Sequence, residues 1–196
     1  MGEASSPVRV VIAEDEAIIR MDLKEILELE GYVVVADTGR GDHAVDLVAE
    51  HQPDVAILDI KMPGLDGIEA AREIAAIGDT AIVILTAFSQ RGLVDRAIEA
   101  GALAYLVKPY TRDELVPAVE IARARHREMR AMTEQARTLV DRLESRKLID
   151  RAKGALMEEK EMSETEAFRF IQASAMSSRR SMANIAAEII AGSLRP

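Results

Sequence analysis

The chain has 196 residues, 48% of them hydrophobic, which is enough for one or two domains with real cores. It has no Cys, so a disulfide framework, a thiolate metal site and a Cys nucleophile are excluded, and a reducing cytoplasm is the expected location. The net charge of −9 is unevenly spread: residues 1–120 carry 10 Lys and Arg against 23 Asp and Glu, and residues 121–196 carry 15 against 11, which argues against nucleic-acid binding in the front half and leaves it open in the back half.

The chain opens on a polar tail. Met1-Gly2-Glu3-Ala4-Ser5-Ser6 fits a myristoylation pattern, but with no basic patch beside it the match reads as chance. No signal-peptide core follows, and no run approaches the roughly 18 apolar residues of a membrane span, so no membrane partner is expected.

Strand and helix patterns then alternate. Val8 to Ala13 predicts a strand closed by Glu14-Asp15-Glu16, and Ile19, Leu23, Ile26 and Leu27 mark one helical face. Gly31 ends that helix before a strand from Tyr32 to Ala36. Ala44, Leu47 and Val48 predict a second helix, followed by the apolar strand Val55-Ala56-Ile57-Leu58 and then Asp59. Ile68, Ala71, Ile74 and Ala75 mark a third helix, Ala81 to Leu85 a fourth strand, Leu93 to Ala100 a fourth helix and Ala102 to Val107 a fifth strand. Five strands joined by helices of this length demand right-handed crossovers and a doubly wound parallel sheet covered on both faces, a flavodoxin-like α/β fold.

In such a sheet Glu14, Asp15, Asp59, Thr86 and Lys108 all lie on one carboxyl edge, at the topological switch point. Three carboxylates raise one another's pKa unless a cation joins them. An oxygen-only ligand set without His or Cys selects Mg²⁺. A Lys and a hydroxyl beside that ion can hold the remaining oxygens of a phosphoryl group, where positioning and charge neutralisation carry the chemistry.

Glu14-Asp15, LDIKMPGLDG around Asp59, Leu85-Thr86-Ala87 and AYLVKP with Tyr105, Lys108 and Pro109 together resemble the response-regulator receiver domain, over about residues 7–120. The resemblance implies that Asp59 is the phosphoacceptor, fed by a phosphohistidine on a sensor histidine kinase. It also implies that Glu14, Asp15, Asp59 and the backbone carbonyl of Lys61 hold Mg²⁺. Lys108 would pair with the phosphoryl oxygens, Thr86 would hydrogen-bond to them, and Tyr105 would turn inward as Thr86 moves. Glu14 stands where many relatives have Asp. The chain would be no enzyme toward other molecules, its own chemistry being one phosphorylation and a slow self-hydrolysis. A cis bond before Pro109 would aim Lys108 at the site.

Beyond Tyr110 the texture changes. Thr111-Arg112-Asp113-Glu114 reads as a capping box opening a long helix. Leu115, Val119, Ala122, Met129, Ala136, Val140 and Leu143, interrupted by His126 and Thr133, form an imperfect heptad seam. A linking helix over residues 121–136 that pairs with a second copy is the expectation. Residues 137–196 read as a small all-α domain of three helices. The first carries Leu148, Ile149, Ala152, Leu156 and Met157. The second opens with the box Ser163-Glu164-Thr165-Glu166 and turns Ala167, Phe168, Ile171 and Ala175 inward. The third is capped by Ser181, with Ile185, Ala186, Ile189 and Ile190 inward.

RKLIDRAKGALME, SETEAFRFIQ and NIAAEII make this tail similar to the ANTAR domain, an RNA-binding output module of transcription antiterminators. The resemblance implies a homodimer on activation that binds short, paired RNA hairpins and prevents terminator formation. Arg146 and Lys153, seven apart, share a helix face, and Arg179 and Arg180 sit in the turn before the last helix. With Arg151 they are the candidate RNA contacts. Two other output functions fit the composition less well. DNA binding needs polar side chains that the last helix lacks apart from Asn184 and Glu188, and a protein-interaction module would bind neither nucleic acid.

Overall fold

The computed structural model describes residues 6–87 and 91–194; most of the N-terminal myristoylation-like motif therefore lies outside the described residues. The chain divides into two compact units, which meet between Arg130 and Ala131.

The first unit holds five strands: β1 (Arg9–Ala13), β2 (Val33–Thr38), β3 (Val55–Asp59), β4 (Ala81–Thr86) and β5 (Ala104–Val107). They alternate with α1 (Ala17–Leu29), α2 (Gly41–His51), α3 (Gly67–Ile77) and α4 (Arg91–Glu99), and α5 starts at Arg112. All pairings are parallel, in the order β2-β1-β3-β4-β5, so the doubly wound reading holds. The order reverses between β1 and β3, which opens a crevice at their carboxyl ends.

Every residue of β3 and β4 is buried. Alternate side chains feed two separate cores. Ala56, Leu58, Ile82 and Ile84 meet α2 and α3, while Val55, Ile57, Val83 and Leu85 meet α1 and the start of α5. Each such Leu or Ile stabilises the sheet by about 1.5–3 kcal/mol relative to exposure. Asp66 caps α3 by accepting from the backbone N–H groups of Ile68 and Glu69, and Gly78 at φ +105 ends it. Ala75 stays exposed, one helical position off the face that Ala71 and Ile74 bury.

Helix α5 runs unbroken from Arg112 to Lys160, so the linker and the first helix of the tail are one element, and Gly154 does not interrupt it. At its start Glu114 accepts from both the N–H and the hydroxyl of Thr111. Leu115, Val119 and Ala122 are fully buried against the sheet, which removes them from the expected heptad seam. The sheet needs a cover on that face, and these three positions supply it. Between Met129 and Leu143 the apolar positions are exposed: Met129, Met132, Leu139, Val140 and Leu143 are each 56–59% accessible.

The second unit packs the end of α5 against α6 (Glu164–Ser178) and α7 (Met182–Ile190). Its core is Ala152, Leu156, Ala167, Ile171, Ala175, Ile185, Ala186 and Ile189. Ser163 and Glu166 form a full capping box, and Ser181 caps α7. Two expectations fail here. Phe170 rather than Phe168 packs against the core, and Ile190 stays at the surface. The inward positions of α6 are Ala167, Ile171 and Ala175, with Phe170 packed beside them.

Candidate functional site

Five of the expected residues converge on the crevice. Asp59 ends β3 with its side chain 7% exposed, and Glu14, directly after β1, is fully buried. One oxygen each of Glu14, Asp15 and Asp59 lie within 4.8 Å of one another. Lys108 Nζ stands 2.5 Å from Glu14 Oε2 and 3.1 Å from Asp59 Oδ1. Thr86 is buried at the end of β4, and its carbonyl accepts from the Lys108 N–H at 2.8 Å, which ties the ends of β4 and β5 together. The Lys108–Pro109 bond is cis. Asp15, Asp59, Lys61, Thr86 and Lys108 line a cavity of about 170 Å³. Tyr105 is not among its lining residues; it lies on β5 with half its surface exposed.

The electrostatics follow from burial. Burial pushes the carboxyl pKa of both Glu14 and Asp59 up, and hydrogen bonds from Lys108 only partly offset this. Burial disfavours the Lys108 ammonium, yet its bonds to Glu14 and Asp59 more than compensate and hold its pKa above the ordinary value. Three carboxylates against one ammonium leave the cluster short of a divalent cation's charge. The all-oxygen donor set and that charge deficit fit a hard divalent ion.

The response regulator receiver domain profile matches residues 10–120 and the ANTAR domain profile residues 137–190. The transcriptional regulatory protein PdtaR of Mycobacterium tuberculosis strain H37Rv is 52% identical over 188 residues, 96% of this chain and 92% of that protein. The chain belongs to the receiver–ANTAR response regulators. Among solved structures, a DNA-binding response regulator of the LuxR family from Staphylococcus aureus matches with a TM-score of 0.57 and 32% identity, over 59% of this chain and 98% of that one. CheY in a CheX–CheY–BeF3–Mg²⁺ complex from Borrelia burgdorferi matches at 0.56 and 28%, over 58% and 87%.

Two receiver residues escaped the reading of the sequence. Gly67 opens α3 directly against the backbone of Asp59: a Cβ there would overlap the Asp59 carbonyl oxygen, and its N–H donates to Ile60 O at 2.8 Å. Only a residue without a side chain lets α3 start this close to the Asp59 backbone. The LDG run was the signal. Arg20 on α1 donates to the Glu14 carbonyl and pairs with Asp37 at 3.1 Å, fixing the loop after β1. Nothing in its spacing announces that role.

In the ANTAR unit the candidate RNA residues separate. Arg146 and Lys153 line one groove with Arg142, Asp150 and Phe168, while Arg151, Arg179 and Arg180 are exposed elsewhere. Lys153, a candidate contact on the face it shares with Arg146, is only 17% accessible and bonds to Asp150 at 2.9 Å and Glu164 at 2.7 Å. The second partner comes from α6, out of reach of any argument along one helix. Arg180 pairs with Glu188 at 2.7 Å, and Arg179 ends α6 in the left-handed region at φ 54.

One prediction concerns the acid cluster of the receiver. Because Glu14 and Asp59 hold protons more tightly folded than unfolded, the metal-free fold loses stability as pH rises from their ordinary values of 4.5 and 3.8 towards the raised ones. Cation binding needs both ionised. Mg²⁺ is therefore expected to raise the receiver melting temperature by several degrees at pH 7.5 and by much less at pH 5, since a ligand at 100 times its Kd stabilises by about 2.7 kcal/mol. Calorimetry of wild type and Asp15→Asn, with and without Mg²⁺, checks this; an equal rise in both proteins counts against the cluster as the site.

Proposed function

We propose that Asp59 takes a phosphoryl group from a sensor histidine kinase and that the ANTAR unit then binds RNA hairpins to regulate transcription by antitermination. The observation that carries the first step is the pairing of buried Asp59 with Lys108 in the Glu14–Asp15 cluster. Mg²⁺ held by Glu14, Asp15, Asp59 and the Lys61 carbonyl supplies charge neutralisation when bound. Asp59 Oδ forms its bond to phosphorus as the bond from phosphorus to the kinase's histidine nitrogen breaks and the imidazole leaves; Lys108 donates to one phosphoryl oxygen and the Thr86 hydroxyl donates to another. Tyr105, outward here, moves in behind Thr86. The same group returned to water restores the starting carboxylate, so no other substrate is turned over.

The exposed apolar stripe on α5 supports dimerisation on activation. Paired ANTAR units then suit paired hairpins. RNA is favoured over duplex DNA because α7 is dominated by small and apolar residues and offers a groove only Asn184 and Glu188, the latter already paired with Arg180. The test is a gel shift of the full chain, with and without a small phosphodonor, against hairpin RNA and duplex DNA of matched sequence. Retardation of RNA alone, strengthened by the phosphodonor, is the expected result. Retardation of DNA alone would transfer the function to DNA, and of neither to a protein partner.

Lys153→Ala is expected to weaken hairpin binding and to lower the salt slope of log affinity by about 0.7, one single-strand phosphate contact. Glu164→Gln should act the other way, because it frees Lys153 from its shorter ion pair. Affinities at several salt concentrations, with melting temperature as control, check both; equal slopes in all three proteins would make Lys153 a purely structural cation.

A further inference from the structure

Phe168 stands at the surface of the ANTAR unit although burial would stabilise it. It and Phe170 are the only aromatic residues from residue 131 onward, and Phe170 is the one committed to the core. Phe168 is 42% exposed and lines a groove of about 560 Å³ between α6 and the face of α5 that carries Arg142, Ser145, Arg146, Ile149 and Lys153. That volume is in the range of small-ligand sites.

The groove combines three features. Its wall is a flat apolar ring. Its rim carries the Arg142 and Arg146 guanidinium groups one turn apart, neither within ion-pair distance of a carboxylate among the described residues. Its far side holds the Lys153 ammonium between Asp150 and Glu164. An exposed ring beside free guanidinium groups suits a base stacked on the ring, with its flanking phosphates on the arginines. A duplex base has both faces stacked already, so the occupant must be an unpaired one. Ser145 and Asp141 stand by to bond the edge of that base. At 100° per residue the groove centres about a quarter of a turn around α5 from Leu139 and Leu143, and Arg146, seven residues after Leu139, lies at the edge shared with the stripe.

The geometry points to a base-stacking subsite, in which the Phe168 ring receives one unpaired loop nucleotide and Arg142 and Arg146 hold the adjoining phosphates. This rests on the hairpin-binding reading above and names the part of the hairpin that is held.

The test uses the full phosphorylated chain and a pool of hairpins with one stem and randomised loops, with the blunt stem duplex as reference. Phe168→Leu keeps apolar bulk and removes the π-face. It should bind the hairpin pool about 5- to 100-fold more weakly, equivalent to roughly 1–3 kcal/mol at 1.4 kcal/mol per tenfold, with an unchanged salt slope and melting temperature. Phe168→Tyr should restore binding. Arg146→Ala should instead lower the slope by about 0.7. A 2-aminopurine in the loop should be quenched by wild type and Phe168→Tyr but not by Phe168→Leu. Affinity of Phe168→Leu within twofold of wild type would overturn the subsite while leaving hairpin binding intact, and so would equal losses in the Leu and Tyr variants. Failure of wild type to bind the pool would remove the hairpin reading and this inference together.

Discussion

Asp59→Asn is expected to take up no phosphate, against one phosphoryl group per chain for wild type. The amide is close in shape to the carboxylate but has no anionic oxygen to attack phosphorus, and no other acid replaces it. Asp15 belongs to the same cluster but is exposed, and Glu14 is fully buried with Lys108 across it. The fold should survive, because Lys108 keeps its 2.5 Å partner Glu14 and the substitution removes one of two buried carboxylates. A net change within about 1 kcal/mol would shift the melting temperature by only a few degrees. Intact-mass measurement after incubation with a small phosphodonor and Mg²⁺ is the check. A mass gain persisting in the variant would move the phosphoacceptor elsewhere.

The second large effect should come from the exposed stripe. Leu139→Asp combined with Leu143→Asp places two charges on a helix face that nothing in its own unit covers, each residue being 59% exposed. Phosphorylation of Asp59 and the fold of either unit should be untouched, because both cores lie elsewhere. If the stripe joins two copies, the phosphorylated variant stays monomeric and loses the effective-concentration gain of bivalent binding, which is typically 10²–10⁴-fold. Wild type should then bind RNA with two hairpins at least about 100-fold more tightly than RNA with one, and the variant should bind both alike. Sedimentation and titration with the two RNAs measure this. A variant that still dimerises on phosphorylation would place the interface on another surface.

Much of the receiver was legible because its signals are local. Four buried residues before an acid and a Pro-Gly turn mark β3, and alternation with helices of fixed length leaves one economical topology. Given that topology, Glu14, Asp15, Asp59, Thr86 and Lys108 had to share an edge, and they do. The long helix was less legible. Leu115, Val119 and Ala122 fit the same spacing as Met129, Ala136 and Leu143, since a sheet-covering face and a partner-pairing face have the same period along one helix.

What the sequence by itself determined, then, are the features set by neighbours along the chain: the periods, the caps at Thr111, Ser163 and Ser181, and the alternation of strands and helices. Contacts between distant elements were decided by the tertiary structure alone. Glu164 reaches Lys153 from a second helix, and Gly67 gives way to the Asp59 backbone. Phe170 enters the core while Phe168 is left on the groove. Each depends on how closely two elements approach and in what register. That is set by the volumes of all the side chains between them, which no single stretch of sequence contains.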